Sequence, residues 1–407
     1  MSARAVDFER LLQPLDPATF FREHWEQRRL VLARNDPSYY AGLFAAGDVD
    51  ALIYFGRTRF LDAERSLQGA SSTVLRGLPQ EGEPPGASGG LGLLELRKLH
   101  AEKKTVLVHS LQLRVPAVAA LARSLEAALH YPVNVNMYLT PAGAQGFGPH
   151  FDDHDVFIMQ LEGYKHWRLY PPTRELPLKF EEPMVPRERL TGPVEEVRME
   201  PGDLLYLPRG FVHEAFTSEQ ASLHLTVGVE VFRWADLLAS ALACASRDTL
   251  GLREAVPPGW VGLAAPTDAM RERFRQLLRQ LAEEARLDDA LAHLGEQFVA
   301  QLPALPDGRF AEPLDPERIE LDTSLEKRPG TICHIVDEGD TVSARFPGSS
   351  IRGPRSIAPA LRFVAAAPGP FTARALPDDL SDRSKLILLR RLVREGLVTP
   401  TTPAERP

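Results

Sequence analysis

The sequence predicts an α+β chain built on a small double-stranded β-barrel with flanking helices. Three observations carry that prediction. The runs Val156–Leu161 and Leu204–Leu207 are short, apolar and bounded by turn signals, as buried strands are. Ser222–Val227 alternates polar and apolar residues with a period of two, which places Ser222, His224 and Thr226 on one face and Leu223, Leu225 and Val227 on the other. Val118, Leu121, Leu125 and Leu129 recur at helical spacing after Pro116, a residue suited to a helix start, so this helix is expected to pack against the barrel.

In chain order, Pro17 to Trp25 predicts a helix with Trp25 in the core, and Leu30–Leu32 a strand. The stretch Leu78–Gly92 is rich in Pro and Gly and predicts a surface loop. Thr105–Val108 predicts a strand. Glu162-Gly163 predicts a tight turn joining Val156–Leu161 to a returning strand, Lys165–Tyr170, as a hairpin. Pro201-Gly202-Asp203 predicts another turn, and Pro208-Arg209-Gly210 a break that delivers His213. Trp234–Ala245 and Thr267–Leu302 predict helices, the second with a stripe of Met270, Phe274, Leu277, Leu278 and Leu281. Strands are expected at Thr331–Val336 and Thr341–Phe346 and a helix at Leu380–Leu397 stopping at Gly396, with a frayed tail from Thr399.

Composition narrows the function. With 407 residues, 44% of them hydrophobic, the chain can bury a sizeable core in two or three domains. A net charge of −8 argues against non-specific attraction to nucleic acid. Cys244 and Cys333 lack the spacing of a disulfide framework or a cysteine zinc site. No apolar run approaches the roughly 18 residues of a membrane span, and the first residues lack a signal core, so a soluble, cytoplasmic protein without membrane contact is expected. Neither a Ser-His-Asp nor a Cys-His signature is evident.

The chemistry concentrates in His150-Phe151-Asp152 and His213. Residues i and i+2 of an extended segment share a side, so His150 and Asp152 can address one point. His213 from a facing strand completes a two-histidine, one-carboxylate set. Such a set occupies one face of an octahedral metal and leaves three positions open, as in non-haem Fe(II) oxygenases. A chelating cosubstrate takes two of those positions and dioxygen the third. An isolated H-x-D pair is weak evidence, because such pairs occur on surfaces by chance. Read singly, Lys165 fits a solvated surface lysine as well as a site residue, and Tyr138 fits an aromatic barrel residue.

Several further segments fall into a known pattern: Asn136-x-Tyr138, His150-Phe151-Asp152-Asp153, Phe157-Ile158-x-Gln160-Leu161-x-Gly163-x-Lys165-x-Trp167, Pro201-Gly202-Asp203 through His213-Glu214, and Ser222 to Thr226. Phe21-x-x-x-Trp25, Arg29 to Leu32 and Pro37-x-Tyr39-Tyr40 extend it towards the start. With these the chain resembles the cupin-like JmjC oxygenases, in particular their ribosomal oxygenase branch. The likeness is strong in the middle and faint over the last hundred residues or so.

That resemblance implies a double-stranded β-helix (cupin or jelly-roll) oxygenase domain at 1–233, a helical dimerisation region at 234–305 and a winged-helix-like domain at 306–407. It implies an Fe(II)- and 2-oxoglutarate-dependent hydroxylase using O2, with His150, Asp152 and His213 as catalytic metal ligands. Lys165 would hold the far carboxylate of 2-oxoglutarate and Tyr138 would donate to it, with Thr226 and Asn136 also facing the cosubstrate. His224 is expected beside the ligands, off the metal. The expected partners are a ribosomal protein, hydroxylated on an arginine or histidine side chain, and a second copy of the chain. Lysine demethylation stays open. Arg383, Lys385, Arg390, Arg391 and Arg394 are expected on a solvated or interdomain face, without direct nucleic-acid binding. One alternative is a non-catalytic cupin and winged-helix regulator. Another is a cupin enzyme acting on a small molecule, although such enzymes often carry a further histidine where Asp152 stands.

Overall fold

The computed structural model describes residues 6–55, 58–62, 74–79, 93–179, 181–306 and 315–401. The chain divides into two compact units, Met1–Val231 and Phe232–Pro407. Apart from Leu78 and Pro79, which end a strand, the Pro/Gly-rich stretch lies outside the described residues.

The first unit opens with α1 (Phe8–Leu12), α2 (Pro17–Glu23), β1 (Leu30–Leu32), α3 (Val49–Phe55), β2 (Thr58–Asp62) and β3 (Val74–Pro79). It continues with α4 (Leu93–Ala101), β4 (Thr105–Val108), α5 (Pro116–Leu129), β5 (Val133–Thr140), β6 (Asp155–Gly163) and β7 (Lys165–Leu169). It closes with β8 (Glu195–Met199), β9 (Leu204–Leu207), β10 (His213–Phe216) and β11 (Ser222–Val229). One sheet runs β1-β9-β6-β11-β5-β4-β3-β2, and a smaller one runs β10-β7-β8.

Two apolar clusters explain why the sheets face one another. Val156 and Ile158 of β6, with Leu205 and Leu207 of β9, pack against Trp167 and Leu169 of β7 and Met199 of β8. The alternate residues, among them Phe157, Met159, Leu204 and Tyr206, turn outwards into the main core. There the α5 stripe of Val118, Leu121, Leu125 and Leu129 covers the large sheet as the periodicity predicts, and Trp25 packs at the edge of the same core.

The predicted hairpin at Glu162-Gly163 does not form. β6 pairs with β9 and β11, whereas β7 pairs with β8 and β10, so the chain turns a corner from one sheet into the other. Gly163 has φ +62°, and a Cβ there would lie 1.8 Å from the Ala221 carbonyl oxygen, so glycine is required at this corner. Hairpins and corners both need such a residue, which is why the turn was legible and its partner strand was not. Pro201-Gly202 likewise joins β8 of the small sheet to β9 of the large one.

The second unit contains α6 (Trp234–Asp248), α7 (Leu250–Arg253), α8 (Asp268–Glu284) and α9 (Leu287–Gln301). The long helical stretch from Thr267 is therefore broken at Ala285-Arg286. Next come β12 (Leu325–Lys327), β13 (His334–Glu338), β14 (Thr341–Phe346), β15 (Ser349–Pro354), α10 (Ala358–Ala366), α11 (Asp382–Arg394) and β16 (Val398–Pro400). β13, β14 and β15 form one antiparallel sheet. Ser381 caps α11, and Gly396 beyond its end has φ +85°. The expected fraying from Thr399 is not seen at the start of that tail, because β16 pairs with β12 and Thr399 is buried.

Candidate metal centre

The two histidine segments reach each other through backbone pairing. His150 N–H donates to His213 O (3.1 Å) and His213 N–H donates to His150 O (2.8 Å). Residues that exchange both bonds put their side chains on one face, and the two imidazole centroids lie 4.4 Å apart. Asp152 follows on the same extended segment, just before β6, and its carbonyl accepts from Gly210 N–H (3.0 Å). One donor atom each from His150, Asp152 and His213 falls within 4.8 Å of the others, and His213 Nε2 lies 3.6 Å from Asp152 Oδ2.

Backbone carbonyls select which imidazole nitrogen is free. His150 Nδ1 lies 2.8 Å from Gly148 O, and His213 Nδ1 lies 3.1 Å from Phe211 O. Each Nδ1 therefore carries the proton and donates it, leaving each Nε2 lone pair available to a metal. Burial, with the nearby His150 charge, pushes His213 down to about 4, which favours the neutral, ligating form. Burial pushes Asp152 upwards, but the charges of His154, His213 and His150 outweigh it and hold the carboxyl below its ordinary range. Two imidazoles and one carboxylate on a single face make a donor set that fits a divalent iron-type ion.

The delivery of His213 rests on a buried network that the sequence reading missed. Tyr206 Oη donates to Asp155 Oδ1 (2.8 Å), and Arg209 Nη1 donates to Asp155 Oδ2 (2.8 Å) and to Glu26. This ties the Pro208–Gly210 break to the start of β6 and to the loop after α2. Gly210 has φ +88°, and a Cβ there would lie 2.2 Å from Arg174 O.

A cavity beside the three side chains is lined by Tyr138, Lys165, Trp167, His224 and Thr226 as well as His150, Asp152 and His213. Lys165 is buried, which removes the solvated-surface alternative, and its Nζ donates to Thr140 Oγ1 (3.0 Å). The Tyr138 ring stacks on His224, with centroids 4.7 Å apart. Thr226 lies in the wall as the alternation of its strand predicts, with Leu223, Leu225 and Val227 in the core behind it. Asn136 is not among the cavity-lining side chains; it sits opposite Thr226 in the register, and its Oδ1 accepts from Ser110 N–H (3.3 Å). His154 pairs with Asp153 (3.0 Å). Trp167 Nε1 and His224 Nδ1 are buried with no hydrogen-bond partner, and buried polar atoms left unpaired in a cavity wall fit a site that a polar ligand completes. Thr140 and Trp167 gain their importance from strands meeting across the two sheets, which single-sequence patterns do not encode.

Comparison with known proteins adds three findings. A family profile described as "JmjC domain" matches residues 110–237. Ribosomal oxygenase 2 of Mus musculus is 34% identical over 76% of this chain and 67% of its own length. The bifunctional lysine-specific demethylase and histidyl-hydroxylase NO66 of Culex quinquefasciatus is 32% identical over 70% of this chain and 45% of its own length. The chain thus spans about half to two thirds of these relatives. Among solved structures, the Escherichia coli ribosomal oxygenase YcfD in complex with cobalt and 2-oxoglutarate superposes with a TM-score of 0.55, covering 95% of this chain and 98% of that one at 23% identity. That likeness carries the fold.

Proposed function

The chain belongs to the ribosomal oxygenase family of JmjC-domain proteins, and from that premise we propose that it is an Fe(II)- and 2-oxoglutarate-dependent protein hydroxylase of a ribosomal protein. One observation carries the reading. A cluster of two histidines and one carboxylate, with both imidazoles held ready by backbone carbonyls, opens into a cavity whose wall contains a buried lysine. His150, Asp152 and His213 would hold Fe(II). Bound iron would supply the activation of O2 that couples decarboxylation of 2-oxoglutarate to C–H hydroxylation.

The chain's own part is to bind, orient and exclude water. Lys165 would take the remote carboxylate of 2-oxoglutarate, with the Thr140 hydroxyl fixing its ammonium and Tyr138 and Thr226 bordering the cosubstrate. Trp167 and the Tyr138–His224 stack wall off the cavity, so the reactive end meets the substrate carbon in place of solvent. The target is an arginine or histidine side chain, and a cytoplasmic site of action accords with a ribosomal substrate. Three regions divide the work: oxygenase at 1–233, dimerisation at 234–305 and a winged-helix-like domain at 306–407. The separate core spanning Ile319 to Val398 and the absence of buried residues in α8 support the second and third assignments.

Purified protein supplied with Fe(II) and ribosomal proteins should convert 2-oxoglutarate to succinate and add one oxygen mass to a single ribosomal protein. Asp152→Ala should abolish both signals. Failure of the unaltered protein to bind a divalent metal or to release succinate would overturn the enzyme reading. Succinate without a mass change on any ribosomal protein would overturn only the substrate.

A further inference from the structure

Residues 181–194, which lead into β8, bear on the metal-binding side chains from behind. Phe151 N–H donates to Pro183 O (3.1 Å), Val185 N–H donates to Pro149 O (2.9 Å), and Met184 stands opposite His150. His150 is therefore the middle of three extended segments, with Met184 on one side and His213 on the other. Side chains alternate across such segments. While His150 and His213 face the cavity, Phe151, Val185 and Val212 turn to the opposite face and form a small core with Tyr170.

Glu214, next to His213, joins that hidden face, and its side chain is 0% exposed. Its Oε1 accepts from Tyr170 Oη (2.8 Å) and Arg187 Nη1 (3.1 Å), and its Oε2 accepts from Arg187 Nη2 (2.7 Å) and Gln145 Nε2 (2.9 Å). Arg187 lies just past Met184, so its guanidinium crosses behind the first ligand segment and grips the residue after the second ligand. Packing alone does not call for a buried carboxylate, which is costly to desolvate, whereas a bidentate arginine pair fixes orientation.

We propose that Arg187 and Glu214 form a positioning pair for the metal centre, latching residues 181–194 behind both ligand segments so that His150 and His213 keep the spacing needed to grip one ion. The inference rests on the metal-binding reading of His150, Asp152 and His213. The test titrates Co(II) into metal-free full-length protein, followed by calorimetry and visible d–d absorption. Arg187→Ala and Glu214→Gln should weaken Co(II) binding by about 10- to 100-fold and alter the absorption band, as loss of outer partners does at other metal sites. Arg187→Lys should recover part of the affinity. Arg174→Ala, which removes an exposed side chain paired with Glu181 in the same segment, should match the unaltered protein. Metal-free Arg187→Ala should melt lower, because the Glu214 carboxylate stays buried without its arginine, whereas metal-free Glu214→Gln, which keeps the shape and removes the charge, should melt close to the parent. Unaltered affinity and band in both Arg187→Ala and Glu214→Gln would overturn the latch and leave the metal reading standing. A parent protein that binds no Co(II) would overturn both. Weakening in Glu214→Gln matched by loss of its metal-free stability, with no recovery in Arg187→Lys, would also overturn the latch, because it marks the pair as merely structural.

Discussion

A lysine shut away from water holds its proton less firmly than one in solvent, because the charged form is the one that burial penalises. Lys165 is such a residue: burial pushes it down to about 7, and its described hydrogen-bond partner, the Thr140 hydroxyl, carries no charge. A carboxylate arriving beside it favours the ammonium and raises its pKa again. Below pH 7 the proton is largely in place already. Above pH 7 the proton must be taken up on binding, so affinity for 2-oxoglutarate should fall as pH rises. Calorimetry in buffers of different ionisation heat should show proton uptake growing towards about one per site between roughly pH 7 and 9. Lys165→Met should remove that uptake and raise KM for 2-oxoglutarate by about 10- to 100-fold, the worth of one charged hydrogen bond. A KM unchanged from the parent's would sink the assignment. The sequence left this lysine between surface and site, since its burial depends on β7 facing β5, a relation between residues distant along the chain.

The corner turns and the ligand-bearing segments behave as units. Within strands the pattern was legible: the alternation of Ser222–Val227 put Thr226 and His224 in the cavity wall and the leucines in the core. Between strands it was not, because Gly163 marks a turn without saying whether the chain returns to the same sheet. Gly210 offers a test of how the second ligand is delivered. Gly210→Ala should cost about 1–3 kcal/mol in backbone strain, with contact against the Arg174 carbonyl added. Thermal melting should report the loss, and Co(II) affinity should drop with it because the Gly210 N–H bond to Asp152 is disturbed. A variant that melts and binds metal like the parent would show that this break does not position His213.

The molecule as a whole comprises two compact units and, among the described residues, no helix long and apolar enough to cross a membrane. In the second unit, Phe274 and Leu278 of α8 are 64% and 50% exposed, and Trp234 and Leu238 of α6 stand out further. Replacing Phe274 and Leu278 by aspartate should therefore turn a sedimenting dimer into a monomer; a parent chain that sediments as a monomer would remove the dimer proposal. Among the basic residues of α11, Lys385 is buried on Leu376 O and Asp378, Arg390 and Arg394 pair with Glu317, and Arg383 and Arg391 are exposed. The sheet-switching corners also limit how this architecture can be inherited. Losing or gaining one residue between Asp152 and Lys165 would exchange cavity-facing and core-facing side chains along the affected strand. Gaps among descendants should accordingly collect in exposed connectors such as 254–266, between α7 and α8, and a gap inside β6 should survive only beside a second one that restores the parity.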